Sequence, residues 1–196
     1  MRDASRMPAP GAVLLGLAIA SAQAEPPAED PRLAQSRELV ARFQGDLSGR
    51  LKEAMAAGGP VHAIDVCSRE APVIAARLSA ESGAAVGRVA AAARNPANAA
   101  DAGERATLEE FRRAIADGAD EAPSAYVVAT DGSSTFMKAI VTQPQCLACH
   151  GAVLAPEVAS AVGRRYPEDQ ATGFAAGDLR GAFVVRWPAD GAERAP

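Results

Sequence analysis

Two thiols and an imidazole stand together at Cys146, Cys149 and His150, in the run Cys-Leu-Ala-Cys-His. Thiols two residues apart can add to the two vinyl groups of a haem while the next residue places its imidazole on the iron, which is the pattern of c-type haem attachment. A redox dithiol would open a helix directly after a strand, whereas Gln143-Pro144-Gln145 brings the chain in through a turn. Zinc would need more thiol or imidazole ligands than remain elsewhere. By composition the pattern arises by chance in on the order of 5 in 10,000 such chains. One covalent haem c is the cofactor expected.

The iron would also have room for a second axial ligand, and several side chains could supply it: Cys67, His62, Met55 and Met137, with Lys52 and Lys138 added at high pH. His62 and Cys67 are five residues apart, about 500° around a helix, so both cannot face one iron. An unpaired inward cysteine also fits as a small buried hydrophobe, and both methionines fit as ordinary core. On the residues alone, Cys67, His62 and Met137 stand level. Arg94, Arg164, Arg165 and Arg180 are candidates to pair the haem carboxylates, although each also fits as a solvated charge.

The rest of the chain must build a fold around that peptide. Its 196 residues are 48% hydrophobic, 22% charged and 4% aromatic, enough for one domain, which excludes a large multidomain enzyme. About half of the hydrophobic count is alanine, so the core rests on few large side chains and a bulky apolar cofactor suits the deficit. A formal charge of −4 without a basic cluster argues against nucleic acid or an anionic membrane as partner. Arg2 and Arg6 precede an apolar run over 11–20 that is too short for a stop-transfer helix, and Ala22-Gln23-Ala24 offers a small-x-small cleavage pattern. The expected organisation is a signal peptide at 1–24, a Pro-rich segment at 25–32, one haem-binding domain at 33–188 and a tail at 189–196. The expected product is periplasmic or otherwise exported, and soluble without a membrane span after cleavage.

Leu33, Leu39, Val40, Phe43, Leu47, Leu51 and Met55 recur at helical spacing, and Gly58-Gly59-Pro60 ends that helix. A second helix over about 61–82 aligns Ile64, Cys67, Ala71, Ile74 and Leu78, turning Cys67 inward, and Pro72 predicts a kink one turn later. A short strand is plausible within 84–92, followed by a turn at 94–98. Asp101, with Glu104 three residues on, caps a helix to about 117. Residues 125–130 and 134–141 read as a hairpin, 156–165 as a short helix and 181–187 as a closing strand. Helices first, then antiparallel strands with the haem peptide inserted, make an α+β domain rather than an all-helical cytochrome.

The ordered set Ile64-x-x-Cys67, Val86-Gly87-Arg88, Arg94-Asn95-Pro96-x-Asn98, Cys146-Leu147-Ala148-Cys149-His150-Gly151, Tyr166-Pro167-x-Asp169-x-Ala171-x-Gly173 and Gly177-Asp178-x-Arg180-Gly181 resembles a known family. That family, long catalogued as a domain of unknown function, is the single-haem c-type domain with a PAS-like fold, also found as the sensing part of some membrane signalling proteins. The resemblance spans roughly 33–188 and implies a PAS-like antiparallel sheet with N-terminal helices. It further implies that Cys67 is the second axial ligand, opposite His150. Gly103 and Ala139 depart from the pattern, standing where members often carry an aromatic residue and a proline.

A filled His/Cys coordination sphere disfavours catalysis at the iron, so no enzyme is expected. One function class is a redox or small-ligand sensor in which Cys67 dissociates on reduction and opens a place for a diatomic ligand. The other is an electron-transfer cytochrome that keeps both ligands. A peroxidase-like enzyme would need a distal base, and only His62 could be one. No kinase, cyclase or membrane-spanning segment follows the domain, so a sensor would signal through a separate redox or signalling protein.

Overall fold

The computed structural model describes residues 29–189 and 191. The expected signal peptide at 1–24 lies outside them, as do half of the Pro-rich segment and most of the tail. Helix α1 (Pro31–Ser82) begins where the Asp30 carboxylate accepts the Arg32 amide, and it ends at Gly83, whose φ of 79° is the left-handed cap conformation. It is two helices joined end to end. Gly58 (φ −159°) and Gly59 (φ 66°) leave helical geometry, which is the break predicted there. Pro60 follows, early in the second segment, where a missing amide does little harm.

The helix does not restart at Pro72, since helical dihedrals lapse only at the two glycines. Pro72 sits on the exposed face, while Ala71, Ile74 and Leu78 are buried on the other and hold the axis against the loss of one amide bond. The first segment also packs unevenly. Leu39, Val40 and Phe43 are buried, whereas Leu51 and Met55 lie exposed.

Four strands follow: β1 (Ala85–Val89), β2 (Ser124–Val128), β3 (Ser134–Val141) and β4 (Leu179–Trp187). They form one antiparallel sheet in the order β1-β4-β3-β2, so the last strand of the chain enters the interior of the sheet rather than closing its edge. The fold class is α+β. Alternation along the strands sends Val86, Phe136, Phe183, Val185 and Trp187 against α1. Val89, Met137, Ala139, Ala182 and Val184 face the other way, against Leu108 and Phe111 of α2 (Ala102–Ala116). Asp101 and Glu104 form the predicted capping box, and the largely buried Glu104 also pairs with Arg186. Ala139 donates its amide to the Pro123 carbonyl at 2.8 Å, a bond that a proline at 139 could not make.

The haem peptide is inserted between β3 and β4. Pro144–Cys146 makes one tight 3-10 turn, α3 (Leu147–His150) a single helical turn, and α4 (Pro156–Arg165) packs back against α1 through Val158, Ala161, Val162 and Ile64. Where β4 begins, the register slips: Ile140 pairs with Gly181 but Val141 with Leu179, leaving Arg180 without a cross-strand partner. This bulge depends on Gly181, whose φ is 154° and whose added Cβ would stand 2.4 Å from the Val89 carbonyl oxygen. No described helix is long and apolar enough to cross a membrane.

Candidate haem centre

The imidazole of His150 is held from several directions. Its Nδ1 lies 2.7 Å from the Ala171 carbonyl oxygen, and a carbonyl can only accept, so Nδ1 carries the proton and Nε2 is the nitrogen free to bind a metal. Burial, with the Arg94 and Arg180 guanidiniums, lowers the pKa of the ring to about 4, so it is neutral at physiological pH. Phe174 meets the ring edge-on at 6.4 Å between centroids, and its amide donates to the His150 carbonyl at 3.0 Å.

Arg94 ties this arrangement together. Its guanidinium forks onto Asp169 (3.1 and 3.2 Å), reaches the Cys149 carbonyl at 2.5 Å and the Ala171 carbonyl at 3.2 Å. Asp169 also accepts the Ala171 amide at 2.8 Å, which presents the Ala171 carbonyl to His150.

The three thiols share one neighbourhood. Cys67, Cys146 and Cys149 are all unpaired and partly buried, and Cys149 packs with Ile64 and Tyr166 against α4. Burial raises the Cys67 thiol pKa, with the Arg88 cation opposing and Cys149 and Glu70 reinforcing. Cys149 is likewise raised by burial, against the pull of Arg94. Among the described residues the Cys67 sulfur has no hydrogen-bond partner, in contrast with His150.

The other axial candidates point elsewhere. Met137 is buried in the α2 side of the sheet, paired across the strand with Val184. His62 is exposed beside the glycine break and lines a separate cleft of about 220 Å³ with Arg50, Glu53 and Glu70. Met55 and Lys52 lie on the solvent side of α1, and Lys138 alternates with Met137 along β3.

A family model described as Tll0287-like: Tll0287 matches residues 19–188. The chain belongs to the Tll0287-like family. A solved structure described as the cyanobacterial heme-protein Tll0287 is similar, with 25% sequence identity, a TM-score of 0.65, and coverage of 86% of this chain and 100% of that one. No curated protein matches the chain.

In this member of the Tll0287-like family the donor set fits a c-type haem: two thiols, an imidazole with its Nε2 free, and a third thiol nearby without a partner. The four arginines named from sequence separate. Arg164 donates to Ser160 and Arg165 pairs with Asp65, both on the exposed side of α4. Arg94 is committed to Asp169 and two carbonyls. Arg180 donates to the Ala92 carbonyl at 3.1 Å and lies over the Phe174 ring at 5.3 Å. Its Nε is 3.3 Å from His150 Nδ1, but a protonated Nδ1 cannot accept, so this is a close approach of charge and not a hydrogen bond.

Arg88, Asp169 and the Ala171 carbonyl are not among the residues expected at the site. A signal for Arg88 existed, since it follows Val86 by two residues in β1 and so shares its inward face, where a cation is out of place. Nothing local marked Asp169 or Ala171 as partners of His150.

Proposed function

We propose that this protein carries one haem c, bound through thioethers to Cys146 and Cys149 with His150 and Cys67 as axial ligands, and serves outside the cytoplasm as a redox or small-ligand sensor. The observation that best supports this reading is the contrast between the two sides of the site: a clamped imidazole presenting Nε2, and a thiol without a hydrogen-bond partner. When bound, the haem supplies one-electron chemistry and, at a vacated axial position, a place for a diatomic ligand.

In attachment, each cysteine S–H adds across one vinyl group, sulfur to one carbon and hydrogen to the other. His150 is oriented by Ala171 and kept neutral by burial beside two guanidiniums. Cys67 sits where burial disfavours an anion, so as a ligand its thiolate would depend on the positive charge in front of it and would leave, taking up a proton to become the neutral thiol, if reduction lowered that charge. Release of Cys67 from the iron, and the movement of α1 that follows, would be the event that a redox or signalling partner protein reads.

Spectra of purified holoprotein in both oxidation states, with and without carbon monoxide, test the reading. The expected result is a six-coordinate ferric form that resists added imidazole and a ferrous form that binds carbon monoxide readily. A ferrous form that retains its sixth ligand and excludes carbon monoxide would identify an electron carrier instead.

A further inference from the structure

Arg94 and Arg180 reach the peptide that carries Cys149 and His150, Arg88 stands near Cys67 and Tyr166, and only Arg94 is neutralised. Arg94 forks onto Asp169, both side chains being about nine-tenths buried. Arg88 and Arg180 are partly buried, yet among the described residues neither makes an ion pair, and Arg88 donates no hydrogen bond. They repel one another: burial, then Arg94 and Arg88, bring the Arg180 pKa down to about 10. Burying unpaired like charges side by side is strongly unfavourable unless something negative joins them.

The fold works to create this arrangement. Arg88 faces inward from β1 across from Phe183, its guanidinium 5.7 Å from the Phe43 ring centroid. Arg180 would face α2 by the alternation of Ala182, Val184 and Arg186, but the bulge at Gly181 turns it toward His150 and Phe174.

Resting on the haem reading above, we propose that Arg88 and Arg180 together form the seat for the two carboxylates of the haem, one guanidinium for each. The chemistry matches in number and sign, because a planar fork that makes no ion pair with a protein acid suits a carboxylate, Asp169 acting on Arg180 only through space. Arg94, although nearest the motif, is not part of the seat, since its fork is filled by Asp169. Arg88 has a second possible anion, the Cys67 sulfur, and the test separates the two.

Haem-loaded Arg88→Leu, Arg180→Leu, Arg88→Lys and Arg180→Lys proteins are compared with wild type by reduction potential and by the vibrational bands of the haem carboxylates. Each Leu variant is expected to shift its carboxylate band. Each is also expected to lower the potential, because a cation near the iron is lost, by on the order of a tenfold change in the oxidised-to-reduced ratio, about 59 mV for one electron. Each Lys variant should restore part of the potential while leaving the band shifted, which decides the matter if a Leu variant fails to load. Arg164→Leu, on the surface, should move neither.

Unchanged bands and potentials overturn the proposal. So does an Arg88→Leu protein whose potential rises as its ferric sixth ligand is lost, which would make Arg88 the counter-ion of Cys67. Failure of the underlying reading looks different: wild-type protein with no covalent haem.

Discussion

The two sides of the site are built on different physical principles. On the His150 side, a 75-residue span of chain is closed by Arg94 and Asp169, the imidazole is hydrogen-bonded to the Ala171 carbonyl, and the backbone around it is tied to Arg94 and Phe174. On the Cys67 side, the thiol rides on a helix between a glycine break and an exposed proline, and its nearest regulators act only through space: Arg88, Cys149 and Glu70. A ligand held by directional bonds stays through a change of charge. A ligand held by burial and electrostatics follows it. The lesson of the comparison is that one face of the iron would be fixed and the other conditional, which is what a switch requires and a simple carrier does not.

The contrast can be broken at several points. Cys146→Ser/Cys149→Ser should carry the largest effect, complete loss of covalent haem; a variant whose colour still resists acidic organic extraction would show that attachment lies elsewhere.

Asp169→Ala comes next. It leaves the Arg94 guanidinium buried without its acid and frees the Ala171 amide, and breaking such a pair costs about 3–5 kcal/mol. Chemical denaturation of the holoprotein measures it, and a midpoint matching wild type would mean that the clamp on His150 is not structural.

Cys67→Ala should leave stability closer to wild type because the thiol is only half-buried, yet ferric protein should gain affinity for added imidazole by at least about tenfold, or about 1.4 kcal/mol, and its potential should rise. Wild-type ferric spectrum, affinity and potential in that variant would make Cys67 a core residue.

The smallest effect sharpens the comparison by its size. His62→Ala, at an exposed position away from the thiols, should stay within about 0.5 kcal/mol of wild type and leave spectra and potential unchanged; a shifted sixth-ligand band would move the conditional ligand to His62.

Much of this was legible before any coordinates, and the reasons are local. Cys146, Cys149 and His150 lie within five consecutive residues, so their spacing alone pointed to haem, and the chain does belong to a family whose solved relative is a heme-protein. The inward turn of Cys67 follows from its three-residue offset from Ile64 and four-residue offset from Ala71, and the helix break follows from the backbone freedom of Gly58 and Gly59. Asp101 and Glu104 announce their cap three residues apart. At Pro72 distant packing prevails over the local tendency to end a helix: helical dihedrals continue past the missing amide beside the buried stripe of Ala71, Ile74 and Leu78.

What only the tertiary structure decided is where residues far apart in the chain meet. Met137, His62 and Cys67 were level as ligands until the sheet placed Met137 against α2 and the glycine break left His62 in solvent. The four arginines were equivalent as charges until Asp169 claimed Arg94, the surface claimed Arg164 and Arg165, and a one-residue slip at Gly181 aimed Arg180 at the imidazole. Arg88 was legible as an inward-facing cation on β1, but its neighbours came only with the fold. Sequence by itself specifies the identity of a donor and the period of its element, because covalent spacing and side-chain alternation are properties of neighbours. Pairing, burial and the field at a buried group depend on strand register and helix docking, which sum contacts over the whole chain and are set when the core closes.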